Sequence, residues 1–245
     1  MNAPTQKIAL VTGATRGIGL ETVRQLAQAG VHTLLAGRNR EAAVAAALKL
    51  QAEGLPVEAI QLDVLDQTSV AAAVAQVGSR HGRLDILVNN AGVLLDKMGI
   101  APSAQTLETW RSTFDTNLFA VVGVTQAFLP LLHAAPAGRI VNVSSLLGSL
   151  TLHSQPGSPI YDFKVPAYNT SKSALNAWTV QLAWELRDSA LKVNTVHPGY
   201  VKTDMNGGEG EIEISEGARS SVGMALIDSD GPNGSFTYLG ETLPW

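Results

Sequence analysis

Five consecutive residues, Tyr168-Asn169-Thr170-Ser171-Lys172, carry the most suggestive chemistry in this 245-residue chain. A spacing of four is about one helical turn, so on a helix the phenol and the ammonium project from one face, one above the other. Groups so placed suit acid–base chemistry on a carbonyl or an alcohol. A tyrosine near its ordinary pKa of about 10 is almost fully protonated at neutral pH and is a poor base. A fixed cation beside it favours the phenolate, and lowering the pKa by about 3 takes roughly 4 kcal/mol of differential stabilisation. Taken alone, Tyr-x-x-x-Lys is common on helix surfaces, so the rest of the chain decides its weight.

Upstream, Thr12-Gly13-Ala14-Thr15-Arg16-Gly17-Ile18-Gly19 runs from a strand-like segment into a helical one. Glycines there allow a tight turn and let the backbone approach a pyrophosphate, whose charge a helix N-terminus stabilises. The spacing is Gly-x-x-x-Gly-x-Gly rather than the commoner Gly-x-Gly-x-x-Gly. About twenty residues further on, an NAD site offers an acid to the adenosine ribose. Here the second strand ends Ala36-Gly37-Arg38 with no acid at its tip. Arg38, with Arg16 in the glycine loop, suits a 2′-phosphate, and the expectation is NADP(H) over NAD(H).

Three further strand ends carry small polar residues. Asp63-Val64 follows the third strand, where a carboxylate can accept from an adenine amino group or, equally, cap the next helix. Asn89-Asn90-Ala91-Gly92 follows the fourth; tandem Asn with Gly is an ordinary turn signal, but it falls at the same edge. Ser144-Ser145 follows the fifth, where a serine can donate to a substrate oxygen or simply cap a turn. Asn117 interrupts an apolar stripe of Phe114, Leu118, Val121, Thr125 and Phe128. A buried carboxamide costs about 1–3 kcal/mol when unpaired, so Asn117 needs partners, which a proton relay or a structural water would supply.

The elements that would position these groups alternate along the chain. Apolar strands are predicted at 7–12, 33–36, 57–62, 85–88, 140–143, 191–196 and 235–238. Helices are predicted at 18–29, 39–53, 67–80, 107–132, 168–187 and 215–226, with a loop over 146–165. Strands that are apolar without alternation imply a parallel sheet covered by helices on both faces. The fold class is α/β: one Rossmann-type doubly wound domain spanning residues 1–245, with ligands bound beyond the carboxyl ends of the strands.

Composition excludes several other functions. Hydrophobic residues make up 45% of the chain, enough for one well-buried core. A net charge of −4 speaks against nucleic acid or an acidic membrane as partner. The absence of cysteine removes disulfides, thiolate metal sites and thiol nucleophiles, and fits a reducing cytoplasm. Residues 1–7 are short and polar, unlike a signal peptide, and no apolar stretch approaches the length of a membrane span. Histidines 32, 81, 133, 153 and 197 are scattered without metal-ligand spacing, so no metal is expected. Neither a Gly-x-Ser-x-Gly elbow nor a Gly-Lys-Ser/Thr phosphate loop is present.

Taken together, Thr-Gly-x-x-x-Gly-x-Gly, Asn-Asn-Ala-Gly, the serine and Tyr-x-x-x-Lys occur in an order and context that resembles the short-chain dehydrogenase/reductase family over nearly the whole chain. The resemblance implies a catalytic tetrad of Asn117, Ser145, Tyr168 and Lys172. Tyr168 would be the proton donor in carbonyl reduction and the base in alcohol oxidation. Lys172 would lower its pKa and bind the nicotinamide ribose, Ser145 would hold the substrate oxygen, and Asn117 would bind a water linking Lys172 to solvent. The cofactor set it implies is Gly13, Thr15, Arg16, Gly17, Ile18, Gly19, Arg38, Asp63, Val64, Asn90, Ala91, Gly92, Tyr168, Lys172, Pro198, Gly199, Val201 and Thr203, with Thr203 near the nicotinamide carboxamide. Tyr161 is a decoy, because Val165 and not a lysine follows four residues later.

Two segments depart from the commonest family pattern. Tyr168 follows Ser145 by 23 positions, so residues 153–163 look like an insertion beside the active site. Residues 205–215 are short and rich in Gly and Glu where many relatives have a helical lid. Both features resemble the carbonyl-reductase branch, in which the insertion covers an association helix; a monomer is favoured, with a homo-oligomer as the alternative. The expected activity is NADPH-dependent reduction of an aldehyde or ketone. A 3-oxoacyl-thioester reductase and a non-catalytic NADP(H)-binding regulator are the competing readings.

Overall fold

Consecutive strand residues divide between two cores, which is why the strands read as unbroken apolar runs. In β1 (Ile8–Val11) Leu10 faces one helical layer while Ala9 and Val11 face the other; in β4 (Ile86–Asn89) Leu87 opposes Ile86 and Val88 in the same way. The computed structural model describes residues 6–245, so residues 1–5 of the polar leader lie outside the described residues. The remaining strands are β2 (His32–Gly37), β3 (Val57–Gln61), β5 (Arg139–Val143), β6 (Lys192–Val196), β7 (Phe236–Tyr238) and β8 (Glu241–Thr242). Their order is β3-β2-β1-β4-β5-β6-β7-β8, parallel throughout except for β8, which pairs antiparallel with β7. The doubly wound α/β sheet is therefore as expected, with one added antiparallel edge strand.

Helices α1 (Gly17–Gln28), α2 (Arg40–Ala52) and α8 (Ile214–Ala225) cover one face through Val23, Leu26, Ala47, Leu50 and Met224. Helices α3 (Gln67–His81), α5 (Ala120–His133) and α7 (Pro166–Glu185) cover the other through Val77, Val124, Phe128 and Leu182. Burying one such side chain fully contributes about 1.5–3 kcal/mol. Phe128 and Phe236 are the largest completely buried ones.

Beneath the carboxyl half of the sheet the core becomes polar. Asn89 donates to Thr125 Oγ1 (3.0 Å) and to Asn142 Oδ1 (2.9 Å), and Asn142 donates to Thr179 Oγ1 at 2.9 Å. Thr195 donates to Asn176 Oδ1 at 3.2 Å. This seam ties β4, β5 and β6 to α5 and α7.

Four expectations need correction. The helix expected over 107–132 is α4 (Leu107–Phe114), a π-helical turn (Asp115–Phe119) and α5, and the turn carries Asn117. By length and composition the continuous stretch Leu107–His133 does reach the size of a membrane span, contrary to the reading of the sequence, although Val121, Val124, Phe128 and Leu132 on its inner side are buried in the protein. The loop expected over 146–165 contains a 3-10 turn (Leu146–Gly148) and a short helix, α6 (Leu150–Ser154). The histidines are not all scattered, because His32 and His81 converge with Glu58.

Candidate active site

The glycine loop between β1 and α1 lies against the end of β4. Gly13 adopts φ +61, and a Cβ there would sit 2.9 Å from the Ala91 Cα. A Cβ on Gly19 would fall 2.4 Å from Asn90 Nδ2 and 2.7 Å from the Gly13 carbonyl, so the close packing of α1 on the loop requires glycine. Asn90 donates from Nδ2 to the carbonyls of Thr12 (2.9 Å) and Gly13 (3.2 Å). The backbone N–H groups of Asn90 and Ala91 donate to Thr12 Oγ1. The turn signal at residues 89–92 is thus a clamp that holds the loop in shape, with Asn89 assigned to the buried seam.

A dinucleotide phosphate suits this loop. Helices α2, α3 and α4 are capped by the side chains of Asn39, Asp66 and Thr106, but α1 has no side-chain cap and no acid in its first turn. Its free N–H groups and its dipole remain available to an anion. Thr15 packs against Gly37 at the end of β2. Arg38 is exposed there and makes no ion pair among the described residues, whereas Arg16 pairs with Asp204 at 3.0 Å across the cleft. Asp63 accepts from the Leu65 N–H at 3.1 Å in a local turn, Val64 packs against the core, and the cap of α3 is Asp66.

The residues after β6 are less uniform than expected. Pro198 and Gly199 lie at the strand end, but Val201 is buried against Gly217 of α8 and bridges to Ile212. Thr203 donates from both its N–H and its hydroxyl to Asn206 Oδ1, at 3.1 and 3.3 Å.

Helix α7 starts two residues earlier than expected, which puts Tyr168 in its first turn. Tyr168 and Lys172 are both buried, and the ammonium lies 5.6 Å from the centre of the phenol ring. Lys172 Nζ donates to the Val143 carbonyl at 2.8 Å. Burial pulls the Lys172 pKa down to about 8 and pushes Tyr168 up to about 12, with the Ser145 hydroxyl partly opposing the latter. Removal of the phenol from water outweighs the Ser145 hydroxyl here, and the Lys172 ammonium is itself desolvated and engaged with the Val143 carbonyl.

Ser145, at the end of β5, accepts from the Leu147 N–H at 3.2 Å. The next peptide N–H, of Leu146, donates to His197 Nδ1 at 3.1 Å, and burial pulls the pKa of His197 down to about 4, so this imidazole is neutral. His197 therefore fixes the loop that carries Ser145. Asn117 finds its partners in protein: it accepts from the Val93 N–H (2.8 Å) and donates to the Val93 carbonyl (2.9 Å) and to Ser171 Oγ (3.0 Å). Its carboxamide joins the segment after Gly92 to α7.

Asp96 escaped the reading of the sequence. Helix α7 lacks a capping side chain of its own, its N-cap being Val165, and Pro166 at its first position has no N–H. The next two N–H groups, of Ala167 and Tyr168, donate to the two carboxylate oxygens of Asp96 at 2.9 and 3.0 Å, and Asn169 begins the intrahelical ladder by donating to Val165. A buried carboxylate from the segment after β4 thus caps α7 at Tyr168 itself. Val165-Pro166 preceded directly by Phe163-Lys164, none of which is a capping residue, was the available signal, because such a helix end needs a cap from elsewhere.

The insertion is pinned in place. His153 Nε2 lies 3.0 Å from the Leu147 carbonyl, Lys164 Nζ contacts His153, and the Thr151 N–H donates to the Trp245 carbonyl at 2.7 Å.

Comparison with known proteins agrees with this geometry. Residues 7–213 match the family model described as short chain dehydrogenase. "Short-chain dehydrogenase anuI" of Penicillium roqueforti (strain FM164) is 38% identical over 236 residues, covering 94% of this chain and 92% of that one. The structure of salutaridine reductase from Papaver somniferum is similar at a TM-score of 0.83 with 31% identity, covering 94% of this chain and 99% of that one. That of NADPH-bound carbonyl reductase from chicken fatty liver is similar at 0.84 with 28% identity, covering 98% and 99%.

Proposed function

Because the chain belongs to the short-chain dehydrogenase family, and is with it an oxidoreductase of CH–OH and C=O groups using a nicotinamide cofactor, we propose that it is an NADPH-dependent reductase of apolar ketones or aldehydes. The observation that carries the proposal is the buried Tyr168 phenol, set beside the Ser145 hydroxyl and above Lys172. A phenol pushed up to about 12 holds its proton at neutral pH, which makes it a donor to a carbonyl oxygen and a poor base toward an alcohol.

A reduced nicotinamide, when bound, supplies the hydride. Ser145 donates a hydrogen bond to the substrate carbonyl oxygen, and Tyr168 delivers its proton there as negative charge develops. Lys172, on α7 with its ammonium against the Val143 carbonyl at the end of β5, holds the ribose side of the cofactor and keeps a positive charge next to the phenol. Asn117 keeps α7 and the segment after Gly92 in register. Arg38 takes the 2′-phosphate, in keeping with a strand end that offers no acid. Exposed Leu95, Met98, Leu150, Phe163 and Met205 lie on the segments that follow β4, β5 and β6, which favours an apolar substrate. The names of the similar salutaridine and carbonyl reductases support reduction as the reaction. The protein is taken as a cytoplasmic monomer, which light scattering and cell fractionation check.

The test follows NADPH absorbance with a panel of aldehydes, ketones and acetoacetyl thioesters, for the wild type and for Tyr168→Phe. Turnover of ketones that the variant loses, with NADPH affinity retained, supports the reading. Turnover confined to thioesters favours the 3-oxoacyl reductase. NADPH binding without any turnover points to a regulator.

A further inference from the structure

His32 opens β2, Glu58 is the second residue of β3 and His81 closes α3. Residues 26 and 23 positions apart thus meet at the amino-terminal edge of the sheet, opposite the edge that carries Ser145 and Tyr168. Glu58 pairs with Leu34 in the β2–β3 register, so Glu58 and His32 share the sheet face that α3 covers. Glu58 Oε2 lies 3.6 Å from His32 Nε2 and 3.7 Å from His81 Nε2, and all three ligand atoms lie within 4.8 Å of one another. Two imidazoles and a carboxylate at Zn–N and Zn–O lengths of about 2.0–2.2 Å would stand about 3.4 Å apart around a tetrahedral ion.

The structure assigns to His32, Glu58 and His81 a binding site for one divalent late transition metal ion, of which Zn2+ is the type, with the fourth position left to solvent. Three features beyond proximity favour it. His32 Nε2 is buried and has no hydrogen-bond partner among the described residues, a cost that a metal bond removes. Glu58 presents only Oε2 to the rings, because Oε1 is held by Arg80, so the carboxylate is oriented from behind. Burial holds both imidazoles below the usual histidine pKa, and neutral rings are the ligating form. The three side chains are 25%, 24% and 17% exposed, which leaves an entry path and room for the solvent ligand. Two borderline nitrogens and one hard oxygen select Zn2+, Ni2+ or Cu2+ over Mg2+ and Ca2+. A bound ion would clip β2, β3 and the end of α3 together, away from the reaction.

The test uses the full chain without a histidine tag, stripped with chelator and titrated calorimetrically with ZnCl2. One Zn2+ per chain, with a rise in melting temperature, is expected for the wild type. His32→Ala, Glu58→Gln and His81→Ala should each weaken binding by more than the roughly 10–100-fold that loss of an outer-shell partner costs. His81→Cys, which keeps a ligand, should restore it. Co2+ in the wild type should give the strong visible absorption of a four-coordinate centre, and carbonyl reduction should be unchanged in His81→Ala. Absence of one-to-one binding, or wild-type affinity in folded His32→Ala and His81→Ala, would overturn the assignment.

Discussion

Removing the Asp96 carboxylate tests whether Tyr168, the proposed proton donor, is held in place from outside its own helix. Asp96 is 7% exposed and accepts the only two unpaired first-turn N–H groups of α7, those of Ala167 and Tyr168. Hydrogen bonds to a charged acceptor contribute about 1.5–3 kcal/mol each, so Asp96→Ala should cost about 3 kcal/mol at the lower end for the pair. In a chain of this length 1 kcal/mol moves Tm by about 2–4 °C, giving a fall of about 6–12 °C. Asp96→Asn keeps one carbonyl acceptor but sets its NH2 group against the other N–H and loses the full charge beside the helix dipole, so it should cost about 1.5–3 kcal/mol, less than Asp96→Ala. Activity should respond separately from stability. The Tyr168 backbone is itself one of the released groups, and a misplacement of about 1 Å can cost on the order of 100-fold in rate, so kcat should drop by about 10–100-fold. KM for NADPH should barely move, because the glycine loop is held by Asn90 and Thr12. Urea unfolding and steady-state kinetics on the three proteins decide the matter. If Asp96→Ala stays within about 0.5 kcal/mol of wild type with an unchanged kcat, the remote cap is not functional.

Three other outcomes follow from the geometry. In Lys172 the folded protein binds fewer protons than the unfolded chain between pH 8 and 10.5, so this group makes stability rise with pH across that window, by up to about 3 kcal/mol. Tyr168 acts oppositely above pH 10, where the unfolded chain loses its proton first; urea midpoints should therefore rise from pH 7 to 9.5 in the wild type and stay flat in Lys172→Met, and parallel profiles would refute the burial argument. Arg38→Asp should move the ratio of kcat/KM values from NADPH toward NADH, and an unchanged ratio would remove Arg38 from the 2′-phosphate site. Gly19→Ala forces a Cβ to within 2.7 Å of the Gly13 carbonyl and should weaken NADPH binding by at least about tenfold, measured by nicotinamide fluorescence; wild-type affinity would show that the loop yields at no cost.

What the sequence revealed and what it hid divide by range. The long strands and helices were legible because Leu10 with Val11, or Leu87 with Ile86, are apolar on both faces, and a parallel sheet requires that. The candidate site's edge was legible because its glycines and small polar residues fall at strand ends. Strand β8 is two residues long, too short for any period to register. Helix α6 is hidden by the neighbouring Pro156, Gly157 and Pro159, and its caps are Ser149 and the distant Trp245 carbonyl. Asp96 and Tyr168 are 72 positions apart, and the His32–Glu58–His81 cluster joins three elements. No local window contains either arrangement. The π-helical turn at Asn117 reads as ordinary helix because its composition is that of one.

The polar seam under the sheet also works as a gauge of alignment. Lys172, Asn176 and Thr179 recur on one stripe of α7, and each meets a specific partner: the Val143 carbonyl, Thr195 and Asn142. An apolar stripe would let the helix slide by a turn of about 5.4 Å with only modest loss, since one aliphatic contact replaces another. Here the same slip would strand several buried donors at about 1–3 kcal/mol each. The height of the phenol above the sheet is thus measured from three fixed points, so the loops around the site can vary while Tyr168 stays where it is.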